Sequence, residues 1–459
     1  MRPILIPECP QYQTMFGTGG IRGPVGETIG TSLAVRLGRA IGSEVELVVV
    51  GRDVRASGRL LERALVAGIE ECGSSVIQVG VESSPTIARS VSWLGADLGV
   101  AITGSHNPAG DNGFKLWSAE GRALSRTDYR RIVRRANAGT VSLASADDIG
   151  SVSRRSDCRD RHRRQLLDAL GSMDGMSVVV DLGNGAGGLT ADVLDERGCQ
   201  VLTLNSHPDG TFPGRASEPT ASSCEQLRDV VKSTDADLGI AHDADADRMV
   251  AVDERGRFVP GDELFALFAS RAVDPGDSAT VTVDTSSLVD DAVQAAGGEV
   301  VRSAVGEMAV ADAMDGSNVV FGGEPSGLWI WADHTRCPDG HLAAGKLVEL
   351  VSDTGPLSSQ LAPFCGRYTT RRACLDADAK YDAIDRIRRR LDGDYDRIDT
   401  TDGIRIETES GWVLIRASGT EPLIRITADA PEPAAADRLF ERARGLVEST
   451  ALSVGESIQ

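Results

Sequence analysis

The chain has 459 residues, of which 41% are hydrophobic, and it carries 68 acidic against 48 basic side chains, a formal charge of −20. Such a charge repels nucleic acid and anionic membranes, so neither is expected as a partner. There is no apolar run of about 18 residues and no basic segment leading into an apolar one, which predicts a cytoplasmic protein without a membrane span or signal peptide. At this length we expect three or four domains.

Cysteine and lysine are unusually distributed. The eight cysteines form no C-x-x-C pair, which argues against a zinc site and a disulfide scaffold and predicts free thiols. Arginine carries nearly all the positive charge, since there are only four lysines: Lys115, Lys232, Lys346 and Lys380. An acidic, lysine-poor surface indicates a salt-rich cytosol, where screening weakens self-repulsion. We therefore predict a halophilic protein.

The first third of the chain alternates predicted strands and helices. A glycine-rich turn, Phe16–Gly23, contains Arg22, whose guanidinium can donate to a phosphate. Strands are predicted at residues 45–50, 76–79 and 98–102, with helices after the first two, at 60–69 and from 83. This alternation predicts a mainly parallel sheet with helices on its faces.

A short polar loop follows the third predicted strand. Its sequence, Thr-Gly-Ser-His-Asn-Pro at residues 103–108, sets Ser105 at the carboxyl end of the strand, where α/β sheets bind ligands. His106, Asn112, Gly113 and Lys115 follow as donors that can bind an anion. Taken alone, the loop can also be a capping turn whose serine and asparagine satisfy backbone groups.

The pattern then restarts. A helix is predicted near residues 159–170, strands at 178–181 and 201–204, and a glycine-rich turn at 183–188. The segment Ala236–Ala241 repeats Ala96–Ala101 almost letter for letter, and each copy leads into a polar loop. A third unit begins near Asp253, with strands at 279–283, 300–301 and 318–321. The repeat length of about 100 to 140 residues indicates duplicated domains, since solenoid repeats span about 20–50.

The second copy of the repeat ends in His-Asp-Ala-Asp-Ala-Asp-Arg, residues 242–248. Asp243, Asp245 and Asp247 repel one another, so a bound cation is the expected compensation. An EF-hand is the rival interpretation, because Glu254 falls at its twelfth position, but Arg248 stands where that loop needs glycine. We predict one Mg²⁺ per chain; calcium or a solvated acidic turn are the alternatives.

Two further loops carry polar clusters. Glu324 and Ser326 lie in a Gly-Gly-Glu-Pro-Ser-Gly turn, where they can bind neighbouring sugar hydroxyls or form an ordinary turn. The C-terminal region predicts an α+β domain with a hairpin at 403–416, a strand at 423–426 and a helix at 434–447. The connection between this hairpin and the next strand has the side chains to bind a phosphate monoester; the alternative is a solvated connection. The residues concerned are Arg416, Ser418, Gly419, Thr420 and Arg425.

These four motifs together resemble the α-D-phosphohexomutase family, which includes phosphoglucomutase/phosphomannomutase and phosphoglucosamine mutase. The matches occur in order from Phe16 to Arg425 and so cover nearly the whole chain. The resemblance implies three related α/β domains with mixed or parallel sheets and a C-terminal α+β domain, around a central cleft. The expected domains are residues 1–150 with the phosphoserine loop, 151–252 with the metal loop, 253–365 with the sugar loop and 366–459 with the phosphate loop.

The resemblance also implies an isomerase that interconverts hexose 6-phosphate and hexose 1-phosphate, as a monomer or homodimer, with hexose 1,6-bisphosphate as activator. Ser105 would carry the phosphoryl group, and Mg²⁺ would bind Ser105 and the three aspartates. Arg22 and Lys115 would stabilise the transferring group, and His106 would orient the phosphoserine. The substrate-binding residues would be Arg248, Glu324, Ser326, Arg416, Ser418, Gly419, Thr420 and Arg425.

The sequence departs from the family at two positions. Leu328 stands where the sugar loop usually has histidine, so that histidine's role passes to His334, to His341 or to no residue; Ala417 replaces a usual proline. Pro325 and the following tryptophans are most similar to archaeal phosphoglucosamine mutase-type sequences, with phosphomannomutase/phosphoglucomutase activity as the alternative. From other classes, a Mg-dependent sugar phosphatase and a non-catalytic sugar-phosphate-binding protein remain as rivals.

Overall fold

The structure is a computed structural model that describes residues 16–17, 20–139, 141–316, 318–391, 395, 397–419 and 422–451. The chain divides into two compact units. The first unit comprises residues 1–261 and 326–360, and the second comprises residues 262–325 and 361–459. Of the described helices, none combines the length and the apolar character that a membrane span requires.

The described strands follow the chain in this order: β1 (Phe16–Gly17), β2 (Gly20–Pro24), β3 (Leu47–Arg52), β4 (Ser75–Val81), β5 (Leu98–Ile102), β6 (Asp111–Ser118), β7 (Val152–Arg154), β8 (Ser177–Asp181), β9 (Gln200–Leu204), β10 (Leu238–His242), β11 (Met249–Asp253), β12 (Ser278–Thr282), β13 (Glu299–Ser303), β14 (Val319–Glu324), β15 (Leu328–Trp331), β16 (Thr369–Asp376), β17 (Ile398–Asp399), β18 (Ile404–Thr408), β19 (Gly411–Ala417) and β20 (Leu423–Ala430).

The described helices are α1 (Thr31–Gly42), α2 (Gly58–Glu70), α3 (Ser84–Trp93), α4 (Arg126–Ala138), α5 (Cys158–Ala169), α6 (Leu189–Glu196), α7 (Glu225–Thr234), α8 (Gly261–Ala272), α9 (Ser287–Ala295), α10 (Glu307–Ala313), α11 (Gly340–Thr354), α12 (Leu357–Leu361), α13 (Lys380–Leu391) and α14 (Pro433–Ala451).

In the first unit, a seven-stranded sheet has the order β1-β2-β6-β5-β3-β4-β7. It is a mixed sheet, which agrees with the mixed or parallel sheets implied by the family resemblance: the chain reverses after Pro108, so that β6 runs antiparallel to β5 and to β2. Strands β3, β4 and β5 are parallel, as their helical crossovers require. A second sheet has the order β11-β10-β8-β9, in which β10 and β11 form an antiparallel hairpin.

The core of this unit follows from the sequence pattern. Strand β5 is buried along its whole length, as are β10 and β11. Strands covered on both faces read as continuous apolar runs and not as alternating ones. Two such strands, β5 and β10, lead into the polar loops 103–108 and 243–248. Each of these loops therefore begins at the end of a fully buried strand.

In the second unit, β12 pairs in parallel with β13 on one side and with β14 on the other. The C-terminal sheet is antiparallel, in the order β16-β20-β19-β18-β17, with α13 and α14 packed against it. The predicted hairpin is confirmed as β18 and β19, joined through Glu409 and Ser410. The predicted final helix is confirmed as α14, and the predicted strand at 423–426 extends to Ala430.

The cysteines were predicted to be free thiols. All seven in the described part of the chain are free thiols, while Cys9 lies outside it. Burial raises the pKa of Cys199 and of Cys224 to about 11, so both are uncharged at neutral pH. They pack as small apolar side chains.

Candidate active site

The loop after β5 presents a buried serine in an uncommon backbone conformation. Ser105 has φ of +46°, in the left-handed region that residues other than glycine seldom occupy, and its side chain is 1% exposed. Its backbone N–H donates to Thr103 Oγ1 at 2.7 Å. Its hydroxyl donates to Asp243 Oδ2 at 2.8 Å. The serine and the metal loop, predicted separately from the sequence, therefore meet within the first unit.

Arg55, which follows β3, fixes this serine loop. Its two terminal nitrogens donate to four backbone carbonyls at 2.5–2.9 Å, those of Ser105, Asn107, Pro108 and Asp111. The guanidinium packs so closely that a Cβ added to Gly104 would lie 2.7 Å from Arg55 Cζ. Arg55 therefore determines the course of the loop that carries Ser105, a role that no motif in the amino-acid sequence indicates.

Asp53 completes the support beneath the loop. Its carboxylate pairs with Arg55 Nε at 3.1 Å and accepts a hydrogen bond from Thr103 Oγ1 at 2.7 Å. Both charged side chains are fully buried, so each compensates the desolvation of the other. From the other side, Ser217 Oγ donates to the carbonyls of His106 and Asn107 at 2.7 Å.

The metal loop, residues 243–248, joins β10 to β11. Asp243, Asp245 and Asp247 are buried, and one oxygen of each lies within 4.8 Å of the others. Oδ1 of Asp245 and Oδ1 of Asp247 are buried and accept no hydrogen bond from any residue in the described ranges. Burial and repulsion from the other two carboxylates hold the pKa of Asp243 well above its usual range. Three carboxylates that supply hard oxygen ligands, two of them with an oxygen that accepts no hydrogen bond from the described residues, fit a divalent cation such as Mg²⁺.

The EF-hand interpretation of this loop was wrong. Residues 249–253 form strand β11, so the chain leaves the loop at Arg248. The Glu254 carboxylate accepts hydrogen bonds from the Ser358 backbone N–H and hydroxyl, and therefore lies apart from the three aspartates. The three ligands belong to a hairpin connection and not to a helix–loop–helix unit.

Lys115 extends from β6 toward the aspartates. Its ammonium donates to Asp245 Oδ2 at 2.9 Å and also contacts Asp247 Oδ2, and the side chain is 3% exposed. Burial by itself raises the pKa of Asp245, but Lys115, Arg22 and a hydrogen bond from Ser84 outweigh it, so the net shift is downward. Asp245 is therefore ionised and available as a ligand.

Arg22 reaches the same region from β2, the strand paired with β6. Arg22 lies opposite Gly113 in this pairing. A Cβ at Gly113 would lie 2.1 Å from the Ile21 carbonyl oxygen and 2.8 Å from Arg22 Cγ, so only glycine permits the two strands to approach this closely. Thr18 and Gly19 of the same glycine-rich turn lie outside the described residues.

His106 lies beside the serine. Its Nδ1 is 3.3 Å from Ser105 Oγ. Burial, with the nearby Arg248 and Arg22, holds the pKa of His106 well below its usual range. The imidazole is therefore neutral at physiological pH. Asn112, the other predicted donor, instead bonds to Ser57 and to the Gly113 N–H, so it supports the loop and does not face an anion.

The predicted sugar loop divides at the boundary between the two units. In the second unit, Glu324 is buried at the end of β14 and accepts a hydrogen bond from the Gly306 N–H at 2.5 Å. In the first unit, the Gly327 carbonyl, next to Ser326, accepts a hydrogen bond from Met249 N–H at 2.9 Å. Ser326 therefore precedes a residue that is hydrogen-bonded to β11, the strand that follows the metal loop.

Leu328 fills the position of the family histidine with a buried apolar side chain, and its backbone bridges to Arg248. His341 cannot substitute, since both of its ring nitrogens are hydrogen-bonded inside the first unit, to Ser83 and to Thr190. His334 is partly exposed. Arg248 itself reaches Glu218 at 3.9 Å.

In the second unit, the phosphate motif joins two adjacent strands. Arg416 on β19 and Arg425 on β20 are direct neighbours across the sheet, and the Ser418 N–H donates to Leu423 O at 2.8 Å. Gly419 follows Ser418 in the turn, and Thr420 lies outside the described residues. Lys380 donates to the Ser418 carbonyl at 2.6 Å and so adds a third cation beside this motif. The scarcity of lysine was the signal that could have identified it.

Comparison with known proteins covers almost the whole chain. Four family models match successive segments: Phosphoglucomutase/phosphomannomutase, alpha/beta/alpha domain I at 13–142, domain II at 163–256, domain III at 260–368, and the C-terminal domain at 371–446.

Individual relatives agree. A probable phosphoglucosamine mutase of Methanopyrus kandleri is 44% identical over 90% of this chain and 93% of its own, and one of Methanococcoides burtonii is 40% identical over 95% and 99%. The crystal structure of a phosphoglucomutase/phosphomannomutase family protein from Burkholderia thailandensis superposes with a TM-score of 0.84 at 27% identity, covering 95% of this chain and 98% of that one.

Proposed function

The chain belongs to the phosphoglucomutase/phosphomannomutase family, and on this premise we propose that it is a phosphoglucosamine mutase acting in the cytoplasm, as a monomer or a homodimer. The observation that carries the proposal is the hydrogen bond from Ser105 Oγ to Asp243 Oδ2, 2.8 Å long, inside a cluster of three carboxylates and Lys115. A binding protein needs neither a buried nucleophile nor a metal site beside it. The preference for glucosamine rests on the archaeal relatives.

In the proposed reaction, phosphorylated Ser105 transfers its phosphoryl group to a free hydroxyl of the sugar monophosphate. The Oγ–P bond breaks as the sugar O–P bond forms, and the hydroxyl proton leaves to a nearby base. Ser105 Oγ takes up a proton as the phosphoryl group leaves it. The bisphosphate then reorients and its other phosphoryl group is transferred to Ser105 Oγ: the second sugar O–P bond breaks as the Oγ–P bond forms, the serine hydroxyl loses its proton and the released sugar oxygen gains one. Hexose 1,6-bisphosphate is the activator in this scheme because it can phosphorylate the free serine.

Mg²⁺ would be bound by Asp243, Asp245 and Asp247 with a phosphoryl oxygen on Ser105, and when bound it supplies charge stabilisation to the transferring group. The cationic side chains of Lys115 and Arg22 would share that task. The loop conformation imposed by Arg55 keeps Ser105 Oγ directed at the three carboxylates. His106, neutral, would accept or donate one hydrogen bond to orient the phosphoserine.

The substrate would be bound through its sugar and through its second phosphate. Glu324 and Ser326 are proposed to bind sugar hydroxyls, with Arg248 as a further donor. The non-reacting phosphate would bind the motif of the second unit, whose members are Arg416, Ser418, Gly419, Thr420 and Arg425. Because reorientation brings either end of the sugar to Ser105, one such phosphate site can serve both half-reactions.

The test is ³¹P NMR in concentrated KCl with Mg²⁺, a catalytic amount of hexose 1,6-bisphosphate and, separately, glucosamine, glucose and mannose 6-phosphates. Appearance of one 1-phosphate supports the mutase and identifies its sugar. Release of inorganic phosphate would favour the phosphatase. Binding without any conversion would favour the non-catalytic protein.

Ser105→Ala should abolish both the conversion and the phosphoserine, which is detected by mass spectrometry of the protein after incubation with the bisphosphate. Ser233→Ala is the matched control, because this serine is exposed on α7 and bonds only within its own helix. Loss of activity in both variants would point to misfolding. Retention of activity in Ser105→Ala would refute the assignment.

A further inference from the structure

A continuous chain of buried hydrogen bonds runs beneath the metal loop, within the first unit. Its side chains, from α3, α5, α6, β10 and the N-terminus of α11, are at most 2% exposed. The seven contacts are Asp339 Oδ2 to His162 Nε2 (3.0 Å), His162 Nδ1 to Thr86 Oγ1 (2.9 Å), Thr86 Oγ1 to Ser83 Oγ (2.8 Å), Ser83 Oγ to His341 Nε2 (3.0 Å), His341 Nδ1 to Thr190 Oγ1 (2.8 Å), Thr190 Oγ1 to His242 Nε2 (2.7 Å) and His242 Nδ1 to Arg248 O (2.8 Å).

Both ends of this chain are acceptors. At one end, the Arg248 oxygen is a backbone carbonyl. At the other, the Asp339 carboxylate accepts from the Arg89 guanidinium through Oδ2 and from the His341 and Leu342 N–H groups through Oδ1. Every neighbour of Asp339 is thus a donor, and the pKa of Asp339 lies well below its usual range because His162 and Arg89 outweigh the effect of burial. Asp339 is ionised.

The protons available to neutral side chains do not suffice for these contacts. Three hydroxyls and three neutral imidazoles supply six protons for seven contacts. In a fully neutral chain, one contact would therefore place two lone pairs against each other at hydrogen-bond distance. Burial excludes water from replacing the missing donor, so this arrangement carries the cost of an unsatisfied buried polar group, about 1–3 kcal/mol.

We infer that the chain contains one additional buried proton, carried by His162, and that His341 and His242 each carry their single proton on Nδ1. With this assignment every contact has one donor. His162 donates to Asp339 through Nε2 and to Thr86 through Nδ1, and every following hydrogen bond points toward the Arg248 carbonyl.

The contact with the Asp339 carboxylate distinguishes His162 from the other two imidazoles as the site of the proton. It is the imidazole that contacts the Asp339 carboxylate, so its cation lies beside an anion. Burial, with Arg89 and Arg159, outweighs the opposing Asp339 carboxylate and leaves the pKa of His162 below its usual value, and His341 faces it as a neutral ring. Deprotonation of His162 would also place two lone pairs against each other. This cost, like the Asp339 carboxylate, favours the protonated ring.

The consequence is a fixed geometry for the metal loop. The His242 Nδ1–H donates across the base of the loop to Arg248 O, and so joins the residue before Asp243 to the residue after Asp247. Ser84, the neighbour of Ser83, donates from its hydroxyl and its N–H to Asp245, at 2.5 and 2.9 Å. We therefore assign Thr190 and His341 as positioning residues, since they set the tautomer of His242 without touching a ligand aspartate.

The proton assignment is tested by NMR on the intact protein, whose six histidines are labelled with ¹⁵N. We expect four slowly exchanging, downfield ring N–H protons from the buried rings: both from His162 and the Nδ1 protons of His341 and His242. Three such protons, with His341 protonated on Nε2, would overturn the inference. This readout does not depend on the enzymatic activity.

The positioning role is tested by Thr190→Val, which keeps the shape of the side chain and removes the hydroxyl. Magnesium affinity, measured by titration calorimetry, should fall about tenfold or more, since loss of the partners behind a metal site has this effect. Thr190→Ser should restore it. Thr280→Val is the matched control, because its buried hydroxyl has no partner among the described residues. Wild-type magnesium affinity in a folded Thr190→Val protein would refute the role.

Discussion

Replacing Arg55 by lysine tests whether the serine loop is positioned from beneath. The guanidinium makes five side-chain hydrogen bonds, one to Asp53 and four to loop carbonyls. Lysine keeps the charge, so Asp53 is not left as an unpaired buried anion. Its ammonium has three donors and no planar fork, so at least two of the five hydrogen bonds are lost. The perturbation removes geometry while it preserves charge.

The expected magnitude follows from those lost bonds. Hydrogen bonds to a charged group contribute about 1.5–3 kcal/mol each, so two of them amount to ~3–6 kcal/mol. The lower end applies here, because Asn107 is partly exposed and Pro108 is exposed, so water can replace some of the donors. A displacement of Ser105 Oγ by about 1 Å is enough to lower kcat by about 100-fold. KM should change little, because the residues proposed to bind the substrate are left in place.

The assay is steady-state mutase kinetics together with thermal denaturation of Arg55→Lys. Arg52→Lys is the matched control: Arg52 lies three residues earlier, and its side chain pairs with Glu62 at 3.2 Å and donates to the Asp53 carbonyl at 3.4 Å, whereas Arg55 donates to the carbonyls of the serine loop. We expect normal kinetics for Arg52→Lys and a selective loss of kcat for Arg55→Lys. An Arg55→Lys enzyme with wild-type kcat would show that the loop keeps its conformation without the guanidinium fork.

Three further predictions concern the second unit, a buried carboxyl and the surface. Arg416→Ala should raise KM strongly with little change in kcat, whereas Arg371→Ala, on the same sheet but paired with exposed Asp437, should leave KM unchanged in the same assay. Burial raises the pKa of Glu82 to about 7, above the usual 4.5, so its contribution to stability is complete below pH 4.5 and is lost as the pH rises through 7. Between pH 4.5 and 8, the free energy of unfolding of Glu82→Gln should therefore rise relative to that of wild type by up to ~3 kcal/mol, as measured by thermal denaturation. An equal pH dependence of the two proteins would contradict this. The melting temperature should also rise when KCl is increased from dilute buffer to molar concentrations, and full stability in dilute buffer would refute the halophilic interpretation.

The sequence was sufficient to predict those features that are contiguous in the chain. The Ser105 loop and the aspartate loop each follow a short, wholly apolar segment, which indicates a buried strand ending at the edge of a sheet. Spacing of two between carboxylates is visible in the amino-acid sequence itself. The meeting of Ser105 with Asp243 was implied only by the resemblance to the family, and the 2.8 Å contact between them is known only from the structure.

The supports behind these motifs could not be predicted, because they depend on long-range contacts. Arg55 lies 50 residues before the serine, and its function arises only when β3 and β5 pair in parallel. Nothing in the local sequence around Arg55 separates it from the exposed Arg59. Likewise, His162 and His341 lie 179 positions apart in the numbering, and only the fold brings their rings together and links them through Ser83 and Thr86.

The positions of the few lysines identify some of the residues that local motifs miss. A chain that uses arginine for nearly all its positive charge retains lysine where a compact, strongly hydrated ammonium with freely rotating donors performs better than a planar fork. Lys115 fits this description, since it is buried against two carboxylate oxygens on different residues, and so does Lys380, which donates to the Ser418 carbonyl beside two arginines. Lys346 pairs with Glu349 on α11 and donates to the Ala169 carbonyl at 3.3 Å, away from any motif identified in the sequence. In an acidic, lysine-poor protein, a lysine is therefore informative when it falls next to a motif already suspected on other grounds, as Lys115 does. Lys380 is 38 residues from Ser418 in the sequence, so its place beside the proposed phosphate site is known only from the structure.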